Sequence, residues 1–242
     1  MCIVKVALMI TCLGDIFRPE VGVATVRLLR RLGVQVEFPD GQTCCGQPFF
    51  NSGYPKLAQD VARHTIDVFE RAAVDAVVVP SGSCAAMVKV EYPELFHEDA
   101  AWHKRATDLA TRTHELSDFL VNVLGREDVG ANYRGKVTYH YACHLRALGL
   151  KDEAVRLIRA IRGIEYVPLD GLEDCCGFGG SFAVRFPEIS GAIVNDKAQA
   201  IMRTGADVVV TTDAGCLMNI AGRLHRLGSG VRAMHLVELL QT

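Results

Sequence analysis

Eight of the nine cysteines fall into two sets with one spacing: Cys12, Cys44, Cys45 and Cys84, then Cys143, Cys175, Cys176 and Cys216. The first gap is 32 residues in both sets (12 to 44, 143 to 175), and the last is 39 in one and 40 in the other (45 to 84, 176 to 216). Glycine follows each adjacent pair, as Gly46 and Gly177. Thiolates brought together from separate loops are metal ligands. Four per set are enough for a closed zinc site or an iron-sulfur cluster. Successive side chains in an extended segment diverge, so an adjacent pair suits a cluster several ångströms across better than one small tetrahedral ion. This favours iron-sulfur chemistry and leaves zinc open. The glycines allow positive φ and close backbone approach, and their bare amides can hydrogen-bond sulfur.

Other residues carry less. His140 and His144 flank Cys143, where the first set has Met9 and Leu13; either histidine could ligate or tune a metal, but without counterparts they read as local structural or partner-facing groups. His114 and His235, near corresponding positions at the start of apolar helices, suit capping or core roles. The stretch Gly177 to Ser181 matches neither a Walker loop nor a dinucleotide fingerprint. No serine-histidine-aspartate or paired-carboxylate arrangement stands out, and Glu173-Asp174 reads as solvated loop. Cys2 has no counterpart and reads as an incidental terminal thiol.

The elements that must position these thiols are duplicated with them. At an offset of 131, Lys5-Val6 falls on Lys136-Val137; at 132, Asp75 to Val79 falls on Asp207 to Thr211, so one residue is inserted between Cys176 and Asp207. Ile3 to Ile10 reads as a strand, Glu20 to Leu32 as a helix and Val34 to Phe38 as a second strand. The second copy repeats them as Lys136 to Tyr141, Lys151 to Arg162 and Ile164 to Val167. A long helix follows each cysteine pair, Pro55 to Ala72 and Phe186 to Thr204, then a third strand, Ala76 to Val79 and Val208 to Thr211. Alternating strands and helices specify α/β architecture with a parallel sheet, here two tandem Rossmann-like domains. Each cysteine site follows a predicted strand, so each set can converge at one sheet edge. Pro93 to Leu124 reads as mainly helical, and Gly125 to Gly135 as a linker. Similar short helices, His114-Glu115-Leu116 with Phe119-Leu120 and Met234-His235-Leu236 with Leu239-Leu240, close the units, with domains at 1–130 and 131–242.

Composition is that of a globular protein: 242 residues, 50% hydrophobic, 22% charged, net charge −2. That charge gives no case for nucleic acid, and Arg27, Arg30 and Arg31 read as a solvated helix face. No apolar stretch approaches the roughly 18 residues that span a bilayer. Met1 to Leu13 could suggest an export signal, but Lys5 interrupts it and its equivalent recurs mid-chain, so it reads as a core strand. Nine cysteines without an export signal indicate metal or redox chemistry rather than a disulfide frame.

The doubled Cys-Cys-Gly pattern resembles the cysteine-rich CCG domains found in heterodisulfide reductase and in the iron-sulfur component of glycolate oxidase. Two such domains alone, with Cys-Cys-Gly-Gln-Pro in the first, Ser-Gly-Ser-Cys after its third strand and Cys-Cys-Gly-Phe-Gly-Gly in the second, are most similar to the lactate utilisation protein A family. The resemblance covers nearly the whole chain. It implies a cytoplasmic iron-sulfur component of a complex oxidising L-lactate to pyruvate, with one cluster, of 4Fe-4S type, per half. It also implies partner lactate utilisation subunits, one ferredoxin-like, since this chain has no ferredoxin-type cysteine run of its own. All eight cysteines of the two sets carry over as ligands. One departure stands out: domains of the heterodisulfide reductase type end in Cys-x-x-Cys, whereas the earlier position here is Ser81 or Asp213. That puts in doubt the non-cubane cluster and disulfide reduction of that relative. Another 2-hydroxy acid such as glycolate, or a zinc-bearing assembly subunit, are the competing readings.

Overall fold

A computed structural model describes residues 4–242; Cys2 and Ile3 lie outside them. The described chain forms two compact units. One runs up to Phe119 and includes His144–Leu150; the other comprises Leu120–Cys143 and Lys151–Thr242.

The first unit contains strands β1 (Lys5–Leu8), β2 (Gln35–Glu37), β3 (Ala76–Val79) and β4 (Thr113–Glu115), all parallel, in the order β2-β1-β3-β4. Helices α1 (Cys12–Phe17) and α2 (Pro19–Arg31) connect β1 to β2; α3 (Gln47–Asn51) and α4 (Pro55–Glu70) connect β2 to β3. Beyond β3, helix continues from α5 (Gly82–Ala86) through a π-turn at Met87–Glu91 into α6 (Tyr92–Leu95), and α7 (Ala100–Thr111) leads into β4, after which α8 (Leu116–Asp118) follows. Right-handed crossovers on either side of β1 place α2 and α4 on opposite faces of the sheet. Apolar residues on α2 recur at Val21, Ala24, Leu28 and Leu29, all buried, while Arg27, Arg30 and Arg31 face solvent as expected. The core gathers Ala7, Val77, Val79, Ile66, Phe69 and Leu109, with Cys45 and Cys84 among them.

The second unit repeats the plan. Its parallel sheet has the order β6-β5-β7-β8, from β5 (Asn132–Tyr139), β6 (Arg162–Tyr166), β7 (Val208–Thr211) and β8 (Arg232–His235). Helix α9 (Glu153–Arg159) precedes β6, and α10 (Ser181–Arg185) and α11 (Pro187–Arg203) precede β7. Next come α12 (Ala214–Arg226) and, after β8, α13 (Leu236–Leu240). The duplication extends to single bonds. Lys5 N donates to Asp75 Oδ2 at 2.8 Å and Lys136 N to Asp207 Oδ2 at 2.7 Å, and each aspartate amide returns a bond to the same lysine's carbonyl. Gly46 lies against Ala58 and Val61, and Gly177 against Ser190 and Ile193. The offset is therefore still 131 at the glycine (46 to 177) and already 132 at the helix (Pro55 to Pro187), which confines the inserted residue to the segment between Gly177 and Pro187 that contains α10.

Three expectations need correction. Thr113–Glu115 and Arg232–His235 are fourth strands rather than parts of helical closures; each pairs with the end of the third strand, Val79 with Glu115 and Thr211 with His235. That register makes Glu115, not His114, the counterpart of His235. The stretch expected as a linker ends inside β5, since Asn132 to Gly135 already pair with β6. The histidine and glutamate then cap the short helices that follow: Glu115 accepts from Ser117 N and Asp118 N, and His235 Nδ1 from Val237 N within a capping box closed by Glu238.

Candidate metal centres

In both units the cysteines stand past the carboxyl ends of the first three strands, around the point where strand order reverses. Ligands collect there in open α/β sheets. Cys12 opens α1 behind the N-cap Thr11, whose hydroxyl accepts from Gly14 N at 3.1 Å. The Cys44-Cys45 pair sits between β2 and α3, and Cys84 lies in the first turn of α5, whose N-cap Ser81 accepts from Cys84 N. In the second unit Cys143 begins a single 3₁₀ turn, the Cys175-Cys176 pair lies between β6 and α10, and Cys216 lies in the first turn of α12 behind its N-cap Asp213.

The thiols associate as an outer and an inner pair in each unit. In the first, Cys12 Sγ is 3.7 Å from Cys44 Sγ, and Cys45 Sγ is 3.4 Å from Cys84 Sγ. In the second, Cys176 Sγ and Cys216 Sγ are 3.1 Å apart, and Cys143 pairs with Cys175. All eight are free; the inner four are buried, and the outer four are partly or well exposed.

Neighbouring thiols, joined by a backbone amide, select one thiolate per unit. Gly46 N donates to Cys44 Sγ and Gly177 N to Cys175 Sγ at 3.2 Å. Contacts from Cys12 and Cys45, with these amides, lower Cys44 to a pKa of about 3, and the matching contacts from Cys143 and Cys176 lower Cys175 to about 2. Cys12, Cys45, Cys143 and Cys176 are all raised, first by the neighbouring thiol and then by burial. Cys216 is raised as well: its contact with Cys176 favours the thiolate, but burial and the charge of Asp213 outweigh it. A second thiolate beside the first would be a like charge in a place poor in water, and a bound cation relieves that repulsion. The donor set therefore fits a metal centre. The glycines shape the cradle. Gly46 and Gly177 have φ of +88° and +79°, and a Cβ on Gly177 would stand 2.7 Å from Ser190 O.

Around the same scaffold the two units differ. Met9 and His140 are equivalent, donating backbone bonds to Val78 O at 2.9 Å and Val210 O at 2.8 Å. Gln47 reaches Ser83 O at 3.2 Å; its counterpart Phe178 packs its ring on Gly215. Tyr92 OH donates to Cys45 O, and Asn219 Nδ2 to Cys176 O, both at 2.8 Å. Buried Thr65 has buried Lys197 in its place, whose Nζ donates to Gly171 O. Lys197 is lowered by burial against the pull of Asp174 and the thiols, and it lines a cavity of about 410 Å³ with Asp174 and Cys175. Nothing in the local pattern of α11 marks this lysine; only alignment of the two copies sets it against Thr65.

His140 is not partner-facing, being 1% exposed, and a ring nitrogen lies within 4.8 Å of Cys176 Sγ and Cys216 Sγ. Burial, and next the Lys197 charge, hold it down to a pKa of about 3, so the ring is neutral. His144 belongs with the first unit, where its Nε2 lies 3.2 Å from Gln47 Nε2. His114 pairs with Asp118 at 2.7 Å, away from any thiol contact. Glu173 and Asp174 are exposed, as expected.

A family model described as a cysteine-rich domain, CCG, matches residues 6–89 and again 137–221. Lactate utilization protein A of Bacillus licheniformis is 50% identical over 98% of this chain and 99% of its own length. The protein of the same name from Geobacillus kaustophilus is 51% identical over 98% of both chains, and that of Bacillus subtilis 47% identical over 98% and 99%. A hypothetical protein from Helicobacter pylori has a similar fold, with a TM-score of 0.65 at 8% identity, over 98% of this chain and about half (48%) of that one. Among the described residues no helix is long and apolar enough to cross a membrane. With two matched cysteine-rich domains and relatives at this identity over nearly the full length, the chain belongs to the lactate utilization protein A family of CCG-domain proteins.

Proposed function

We propose that this protein is the iron-sulfur redox subunit of a cytoplasmic complex that oxidises L-lactate to pyruvate, dividing near residue 130 into two domains that each hold one cluster of 4Fe-4S type. The observation that carries this reading is the gathering of eight free thiols into two four-sulfur sets at matching places in two parallel sheets, in a chain about half identical to proteins named for lactate utilization. Cys12, Cys44, Cys45 and Cys84 would hold the first cluster, and Cys143, Cys175, Cys176 and Cys216 the second. A bound cluster would supply reversible one-electron storage.

This chain's residues set the conditions. Both inner pairs are buried, that of the first unit among apolar side chains, which keeps water out, and the glycine amides stabilise thiolate at Cys44 and Cys175. The outer pairs are reachable from solvent, which suits electron exchange with a ferredoxin-like partner subunit. Oxidation of a 2-hydroxy acid releases two electrons and two protons; here the chain carries electrons and the partners complete the reaction.

Iron, zinc and acid-labile sulfide in anaerobically purified protein, with the EPR spectrum of the reduced form, test the reading. Iron and sulfide near two clusters per chain, lost in a Cys45→Ser, Cys176→Ser double variant, would support it. Zinc without iron or sulfide would replace it with a structural role. Comparing growth of a deletion strain on lactate and on glycolate assigns the substrate.

A further inference from the structure

His140 stands in the second thiol site with the polar atoms of its side chain unused. It lies just past β5, where the first unit has the thioether of Met9, and its ring is almost completely enclosed. Neither ring nitrogen has a hydrogen-bond partner. A buried polar group left unmet costs on the order of 1–3 kcal/mol, and an apolar residue at the same place, as in the first unit, would avoid that cost. The ring does have neighbours of another kind: one nitrogen lies within 4.8 Å of both Cys176 Sγ and Cys216 Sγ, with those sulfurs 3.1 Å apart.

We propose that His140 is a further metal ligand of the second centre, one ring nitrogen joining Cys176 and Cys216 beside the thiols already named, so that the second unit binds metal through nitrogen and sulfur and the first through sulfur alone. The proposal rests on the reading of the thiol sets as metal centres. Imidazole and thiolate are both good donors to iron and to zinc, so the set is chemically coherent. Ser81 and Asp213 occupy equivalent N-cap places and both are engaged by backbone amides, whereas Met9 and His140 differ in donor type.

The consequence is a difference between the centres. A neutral imidazole brings no negative charge, so putting a thiolate in its place adds one and lowers the reduction potential of that centre.

The test uses the full chain, purified anaerobically with and without nitrogen-15 histidine, and reads nitrogen hyperfine coupling in the EPR of the reduced protein beside metal and sulfide content. Wild type and His144→Ala should show a strongly coupled nitrogen that responds to the isotope. His140→Cys should keep iron and sulfide, lose the coupling and shift one potential downward. Iron and sulfide without a strongly coupled nitrogen in the wild type overturns the ligand while leaving the iron-sulfur reading intact. Zinc without iron overturns that reading instead. X-ray absorption at the zinc edge then decides the ligand: one nitrogen lost in His140→Cys supports it, and an all-sulfur shell overturns it. Protein that binds no metal overturns both.

Discussion

Met9 and His140 hang from the same backbone hydrogen bond in two copies of one sheet, and so do two kinds of chemistry. In the first unit the inner thiols are surrounded by Met9, Thr65 and Tyr92, neutral groups whose polar atoms are few. In the second the corresponding surroundings hold His140, Lys197 and Asp213. Even the support for the pair's carbonyl differs. In the first unit a π-turn at Met87–Glu91 lies between Cys84 and Tyr92, whose hydroxyl reaches Cys45 O; in the second an unbroken α12 delivers Asn219, three residues past Cys216. What the two copies share is the backbone: strand order, the aspartate clamp on the first strand, the glycine behind each pair. Duplication preserved what positions four sulfurs and left free what tunes them.

The largest expected effect separates the sites. Replacing Cys45 and Cys84 by serine should remove the metal of the first unit alone, and replacing Cys176 and Cys216 that of the second, so each variant keeps about half the iron and sulfide. Metal analysis of the two variants checks this. Loss of both centres from either variant would mean that the units do not load independently.

The glycine cradles should differ in tolerance. At Gly177 a Cβ meets Ser190 O at 2.7 Å and Ile193 at 3.1 Å on a positive φ, whereas at Gly46 the nearest atom, Ala58 O, is 3.4 Å away. Gly177→Ala should cost about 2–4 kcal/mol and Gly46→Ala about 1–2, from steric overlap plus backbone strain. Denaturant unfolding of metal-free protein measures both. Equal costs would show that the second cradle relaxes as easily as the first.

Much of this was legible in the cysteine ruler. The gaps located both sheets and both pairs, and the third strands, four buried residues each, were delimited to the residue. The fourth strands were hidden because an edge strand of three or four residues has neither a sustained alternation nor a buried run: Arg232 is exposed, and His114 is only half-buried. They exist because the third strand offers an unpaired edge, a tertiary fact. Lys197 was hidden for the opposite reason. It sits on the core face of an otherwise ordinary amphipathic helix, where one lysine does not disturb the pattern. The difference at His140 was visible from the alignment of the copies, but not that its ring would be enclosed with no hydrogen-bonding partner.

Glu115, which stands where the second unit has His235, extends the comparison to pH. Burial raises Glu115 from 4.5 to about 7, against the pull of its bonds to Ser117 and Asp118. The folded state therefore holds the proton more tightly than the unfolded chain. The stabilisation is complete below about pH 4.5 and is lost as pH rises through 7, a swing on the order of 3 kcal/mol at most. Glu115→Gln keeps an acceptor for the helix cap and removes the charge. It should flatten this slope and leave the first unit more stable than wild type at pH 8, by about 1–3 kcal/mol. Denaturant melts at pH 5 and pH 8 test it; an unchanged slope would place the carboxylate in a wetter setting than its enclosure indicates.

The smallest effect concerns how each pair's carbonyl is held. Tyr92→Phe removes one hydroxyl and leaves Cys45 O without that donor, at a cost of about 1 kcal/mol. Asn219→Ala removes the equivalent donor to Cys176 O together with part of a side chain on α12, and should cost about 1–2 kcal/mol. Both bonds fix the peptide between the inner cysteine and the glycine that follows it, so each variant should also loosen metal retention in its own unit, read as faster release to a chelator. If Tyr92→Phe speeds release as much as Asn219→Ala, the π-turn and the straight helix are interchangeable supports. If only one does, the two units have come to depend on different walls of the same cradle.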